Sequence, residues 1–91
     1  MPVLSVVIPA YNEAENIAGA LHDVLADVAS VVGDLEIIVV DDGSTDETAA
    51  RAKEVAAAEP RITVISQANQ GHGPAIMNGL ASARGDWLLL L

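Results

Sequence analysis

The chain has 91 residues, 52% hydrophobic and 19% charged, and its four Lys and Arg face thirteen Asp and Glu for a formal charge of −9. That length holds one small core and no second domain, and the apolar share excludes an intrinsically disordered chain. The negative field repels phosphate backbones and anionic headgroups, and with one Trp, one Tyr and no Phe there is no platform for stacking bases, which argues against nucleic acid as a partner. Zero cysteines remove disulfides and thiolate metal sites and fit a reducing compartment. The start at Met1-Pro2-Val3-Leu4 lacks a basic signal region, and no apolar run approaches the ~20 residues of a membrane span, so a soluble chain is expected.

In chain order, Leu4 to Ile8 is a β-branched apolar run closed by Pro9, which has no N–H to donate, and reads as strand one. From Glu13 to Val32, apolar residues at Ile17, Ala20, Leu21, Val24, Leu25, Val28 and Val31 recur at helical spacing, with Asn12 as N-cap and Gly33 as stop. Glu36 to Val40 lacks alternation, as a strand buried on both faces does, and ends at Asp41. Ser44-Thr45-Asp46-Glu47 reads as a capping box that opens an Ala-rich helix reaching about Glu59. Arg61 to Ile65 is a third strand. Pro74 then fits the first turn of a third helix ending near Arg84-Gly85, and Trp87 to Leu91 begins a fourth strand. Strands alternating with helices at these spacings make right-handed βαβ units. The expected fold is α/β, a doubly wound parallel sheet between helical layers.

If strand one is central and strand four lies across it from strand two, the strand order is 3-2-1-4 and the ligand crevice falls at the switch point between strands one and four. Three polar segments emerge at that edge: Pro9 to Glu13, Asp41 to Ser44, and Asn69 to Gly73. Glycines at 71 and 73 allow close backbone approach, and the amides opening the third helix could hold a phosphate oxygen. Neither G-x-G-x-x-G nor G-x-x-x-x-G-K-[ST] follows strand one, which sets aside dinucleotide and P-loop readings. An apolar strand stopping at Leu91 with nothing to cover it makes the chain read as truncated.

Three blocks in order carry a resemblance: Ser5 to Glu13 (SVVIPAYNE), Ile38 to Asp46 (IVVDDGSTD), and Asn69 to Gly73 (NQGHG) followed by Asn78-Gly79. Together they closely resemble the N-terminal half of family-2 glycosyltransferases of the GT-A fold, over essentially the whole chain. The resemblance implies residues 1–91 as one N-terminal nucleotide-binding portion, a UDP- or GDP-linked sugar donor, an acceptor the sequence does not identify, and inversion at the anomeric carbon. It implies that Pro9, Tyr11 and Glu13 line the base and ribose, and that Asp42 accepts a base N–H with Asp41 supporting its loop. Gly71, Gly73 and Asn78 then border the diphosphate. It places an Asp-x-Asp motif for a divalent cation, Mg or Mn, after strand four, with a general base further on. Neither lies within the 91 residues, so no catalytic or metal-binding residue is assigned and the chain alone is expected to be inactive. A cytoplasmic protein, or one at the cytoplasmic face of a membrane, is expected.

Plainer readings stand beside these. Asp41 to Ser44 also suits a turn and N-cap, Tyr11 a half-buried strand end, and Glu13 a favourable first-turn acid. His22 reads as solvated surface, Asp86 as turn chemistry, and His72 as a lone residue without partner ligands. Trp87 and Met77 read as core. The bare outer edge of strand four suggests self-association. A non-catalytic nucleotide-binding or interaction module built on the same half-fold is the alternative to an enzyme.

Overall fold

The computed structural model describes residues 2–91 as β1 (Leu4–Ala10), α1 (Ile17–Ala29), β2 (Leu35–Asp42), α2 (Thr48–Ala58), β3 (Ile62–Gln67), α3 (His72–Ser82) and β4 (Trp87–Leu90). All strand pairs are parallel and the order is β3-β2-β1-β4, the doubly wound α/β arrangement that the sequence led us to expect. The hydrophobic runs explain the layering. All eight residues of β2 are buried, since it lies between β1 and β3 and is covered on both faces. On one face Val6, Ile8, Ile37 and Val39 pack against Ile17, Leu21 and Val24 of α1 and Ala52 of α2, and on the other Ile38 and Val40 meet Ala75 of α3. Each fully buried Ile or Val stabilises the fold by about 1.5–3 kcal/mol relative to exposure.

Boundaries shift where tertiary contacts outweigh local signals. β1 runs through Pro9, which pairs with Val40. Val3 and Val7 accept hydrogen bonds from Trp87 and Leu91, so the odd residues of β1 face β4, and Pro9 withholds its N–H from that side rather than from the β2 ladder. α1 starts at Ile17 after N-cap Asn16, because Asn12 is drawn into another loop; the helix ends before Val31, which is 83% exposed. α2 starts at Thr48, and the side chain capping its first N–H is that of Asp46 rather than Ser44. Glu47 pairs instead with Arg51 at 3.3 Å. β2 extends one residue and β3 two residues further than expected, since Asp41 and Asp42 pair with Ser66 and Gln67. Trp87 and Met77 are not core: they are 71% and 65% exposed. Met77 lies on the face of α3 away from Ala75 and Gly79, and among the described residues nothing covers the outer side of β4.

The opposite end of the sheet is closed by a buried polar cluster. Glu36, 8% exposed, accepts from the Ser5 hydroxyl and the Arg84 amide, both at 2.6 Å, while Ser5 Oγ accepts from the Gly85 amide at 2.8 Å. Burial raises the Glu36 pKa, but the Ser5 hydroxyl and then Arg84 outweigh it and leave the carboxyl below its ordinary value. This ties the α3–β4 turn under β1 and β2.

Gly79 sets how closely α3 lies on the sheet. A Cβ there would stand 2.5 Å from Val7 Cγ1 and 3.2 Å from Val40 Cγ2, both on the two central strands. Gly79→Ala would gain about 1 kcal/mol of helix propensity and lose about 1–3 kcal/mol or more to overpacking against side chains that cannot retreat. A net loss of stability in urea unfolding is expected; a stabilised variant would refute the tight α3 packing.

Candidate functional site

The loops after β1, β2 and β3 all open at the C-terminal edge of the sheet, where open α/β folds receive ligands. Two hydrogen-bonded sets organise them.

The first set surrounds Asp42. This carboxylate ends the most buried strand and is itself only 3% exposed, so it needs donors to stay charged. It receives them from the end of β3 and the segment after it: Gln67 Nε2 at 2.9 Å and Gln70 N at 2.8 Å donate to Oδ1, and Gly71 N at 2.9 Å donates to Oδ2. Asn78 Nδ2 of α3 in turn donates to Gln67 Oε1 at 2.9 Å. Gln67, then the Gln70 amide, with smaller help from Gly71 and His72, hold the Asp42 carboxyl below its ordinary value against the opposing effect of burial. A carboxyl whose pKa falls on folding contributes its full stability above the unfolded value near 3.8 and loses it only as pH drops through the lowered folded value. Two glycines make the loop possible. Gly71 has φ +95°, and Gly43 has φ +70° with Asn69 N at 2.5 Å from where a Cβ would sit.

The second set joins the β1–α1 loop to the β2–α2 loop. Asn12, the one non-glycine with positive φ (52°) among the described residues, donates its N–H to Ser44 Oγ at 2.9 Å and accepts from Thr45 N at 2.9 Å through Oδ1. Glu13 N donates to Thr48 Oγ1 at 2.8 Å, and Ala14 N to Asp46 Oδ2 at 3.3 Å. Thr48 supplies both its N–H and its hydroxyl to Asp46, whose carboxyl is held below its ordinary value chiefly by that hydroxyl.

Of the residues singled out from the sequence, Asp42, Gly71 and Asn78 therefore fall into one connected set, with Gln67 as the link that sequence reasoning missed. Pro9 and Glu13 line a cleft of about 250 Å³ beside β1, together with Ile8, Ala10 and Leu91. Tyr11, in the β1–α1 loop, is 40% exposed. Asp41 turns to the other face of the sheet from Asp42 and accepts from Ser44 N at 3.4 Å. Gly73 lies in the first turn of α3, where a Cβ would meet open space, so packing does not require a glycine there. The α3-opening amides are only partly free for a phosphate oxygen, since Gln70 and Gly71 are committed to Asp42. A larger recess of about 760 Å³ between α1 and α2 holds none of these residues.

Asn12 separates backbone strain from hydrogen bonding. Asn12→Asp should stay within about 1 kcal/mol of the parent, because it keeps the acceptor and tolerates positive φ. Asn12→Gly loses the side-chain bond for about 1 kcal/mol, and Asn12→Ala adds roughly 1–2 kcal/mol of left-handed strain. Urea unfolding should rank them Asp, Gly, Ala; an Ala variant as stable as Gly would show that the left-handed turn relaxes.

The glycosyl transferase family 2 model matches residues 5–91. The chain is 40% identical over 89 residues to an uncharacterized glycosyltransferase of Nostoc sp., covering 97% of this chain and 27% of that protein. Among solved structures it is similar to a mannosyltransferase from Pyrobaculum calidifontis in complex with GDP-Man and Mn2+, with TM-score 0.81 and 30% identity over 93% of this chain and 25% of that one. It is also similar to glucosyl-3-phosphoglycerate synthase from Mycobacterium tuberculosis in complex with Mn2+, UDP and phosphoglyceric acid, with TM-score 0.78 and 31% identity over 99% of this chain and 32% of that one. The chain thus spans about a quarter to a third of these proteins. With the sheet order, the three loop motifs and a match over nearly its whole length in agreement, this chain belongs to glycosyl transferase family 2.

Proposed function

We propose that residues 1–91 form the donor-nucleotide portion of an inverting glycosyltransferase that moves a sugar from a UDP- or GDP-linked donor to an acceptor. The observation that carries this reading is Asp42. Three of the four acceptor positions of its carboxylate are filled, which leaves one on Oδ2 for the ring N–H of a base. Pro9, Tyr11 and Glu13, at the end of β1, line the base and ribose, and Asp41 supports the β2–α2 loop through Ser44. Gly71, Gly73 and Asn78 border the diphosphate. These residues bind and orient the donor and keep water from its base. The similar structures with GDP-Man or UDP support a nucleoside diphosphate as the shared ligand chemistry.

Among the described residues no group of three His, Cys, Asp or Glu side chains could hold a metal ion. A Mg or Mn ion belongs in this proposal to the whole protein, as does the acceptor. Among the described residues no helix is long and apolar enough to cross a membrane. The proposed setting is the cytoplasm or the cytoplasmic face of a membrane, and the chain's lack of cysteine is compatible with it.

Because the −9 chain repels a diphosphate, the base carries the affinity in the absence of a divalent cation. Calorimetric titration with UDP, GDP and the parent nucleosides should show one base bound, with nucleoside and diphosphate alike. Asp42→Asn, which sets a donor against a donor, should weaken that binding on the order of tenfold. Failure of every nucleotide to bind would remove the donor-site reading.

We further propose that the 91-residue chain pairs with a second copy through β4. Among the described residues β4 hydrogen-bonds on one side only, and its Trp87, Leu88 and Leu90, with the adjoining Leu91, are all at least half exposed. The charge opposes this only at long range, since it is screened within ~8 Å at physiological salt. Leu89 packs into the α1-side core, so the informative substitution is Leu88→Lys, on a side chain that is 55% exposed. Light scattering should show a dimer that Leu88→Lys converts to monomer; a concentration-independent monomer for the parent chain would disprove the pairing.

A further inference from the structure

The sequence motif places Asn78 beside a diphosphate, but its amide is occupied elsewhere. Asp42, ionised, is an acceptor only, so the Gln67 carboxamide must turn its NH2 group toward it, which it does at 2.9 Å. That choice leaves Gln67 Oε1 facing away in need of a donor, and Asn78 Nδ2 is there at 2.9 Å. Each group fixes the orientation of the next. Asn78 is well placed to impose order, because α3 is held on the sheet by Gly79, one residue along, against Val7 and Val40. The segment between Gln67 and Gly71 is thereby pinned at three points: by Asn69 against Gly43, by Gln70 and Gly71 on Asp42, and by Gln67 on both Asp42 and Asn78.

We infer that Asn78 is a positioning residue that acts through Gln67, orienting the Asp42 carboxylate and holding the 67–71 loop closed, rather than a group that touches the ligand. The functional half of this inference rests on the donor-nucleotide reading; the structural half does not.

The relay has a polarity that a purely space-filling contact lacks. Asn78→Ala removes only its tail. Asn78→Asp opposes Gln67 Oε1 with a carboxylate, and if Gln67 turns over to satisfy it, an amide oxygen then faces Asp42. Neither orientation works, so Asp should be worse than Ala although it is the closer shape. In the 15N-labelled 91-residue chain, Gln70 and Gly71 amide exchange should quicken about fivefold to tenfold in Asn78→Ala, the loss of one ordinary hydrogen bond, and more in Asn78→Asp. Gln67→Met, which keeps the shape and removes both polar ends, should match Asn78→Asp. The Gln67 side-chain NH2 resonances should move in both Asn78 variants. Circular dichroism checks that each variant is folded.

Nucleoside and nucleoside diphosphate affinities should fall by the same factor in Asn78→Ala. Unchanged exchange together with a loss confined to the diphosphate would overturn the inference and return Asn78 to direct ligand contact. Quickened exchange in the Asn78 variants of a chain whose parent binds no nucleotide would uphold the relay while refuting the donor-nucleotide reading. An Asn78→Asp variant no more open than Asn78→Ala would overturn the polarity on which the relay depends.

Discussion

A charged carboxylate at the end of the most buried strand has to be met by hydrogen bonds, and at Asp42 all three donors present come from the last residue of β3 and the segment after it. This need governs the edge of the sheet where the loops gather. It draws the 67–71 segment across the end of β2, requires positive φ at Gly71, and brings the Asn69 backbone so close to Gly43 that no side chain fits between them. Remove the charge and the loop has no reason to lie there.

The two ends of the sheet solve the same electrostatic problem with different results. Glu36 at the other end is also a buried carboxylate, satisfied by Ser5 and Arg84, but it is closed over by the α3–β4 turn and its Arg84 partner stands 3.5 Å away. Exposed pairs elsewhere are local. Arg61 bonds Glu59 with two nitrogens, and chiefly this bond lowers the Glu59 carboxyl to about 2. At Asp42 the satisfied carboxylate keeps an acceptor position on Oδ2 at the edge where the loops open.

Much of this was legible from residue order. The continuous apolar runs at 4–8 and 36–40 signal strands buried on both faces, and short helical connections between such strands leave few topologies, so the β3-β2-β1-β4 order followed. The carboxylates at 41 and 42 and the glycine at 71 stood out because their blocks resemble the family's, whereas Asp41 to Ser44 alone also suits a turn and N-cap. Gln67 did not, because an amide in a polar loop has no periodicity to betray it, and its part depends on Asp42, twenty-five residues away. Asn12 was misread for a related reason. Its local sequence suits an N-cap, but its partners Ser44 and Thr45 lie on another loop, and a left-handed residue cannot open a helix that starts at Ile17. Trp87 and Met77 were placed inside on hydrophobicity alone, although position on an edge strand or on the outer face of a helix decides their exposure.

The stitching of the β1–α1 and β2–α2 loops by Asn12 divides the chain into segments that accept inserted sequence and segments that do not. The bonds from Asn12, Glu13 and Ala14 reach more than thirty residues along the chain to Ser44, Thr48 and Asp46, so one extra residue within 12–14 or within 44–48 would put donors out of step with their acceptors. At the other end, Val31 to Asp34 forms an exposed turn after α1 whose described bonds are backbone ones, to Val28, Val3 and Leu4. A reporter, tag or permuted terminus grafted at Val31–Gly33 would leave the ligand edge untouched. Room for added length in this chain thus lies at the end of the sheet remote from the edge where the loops gather.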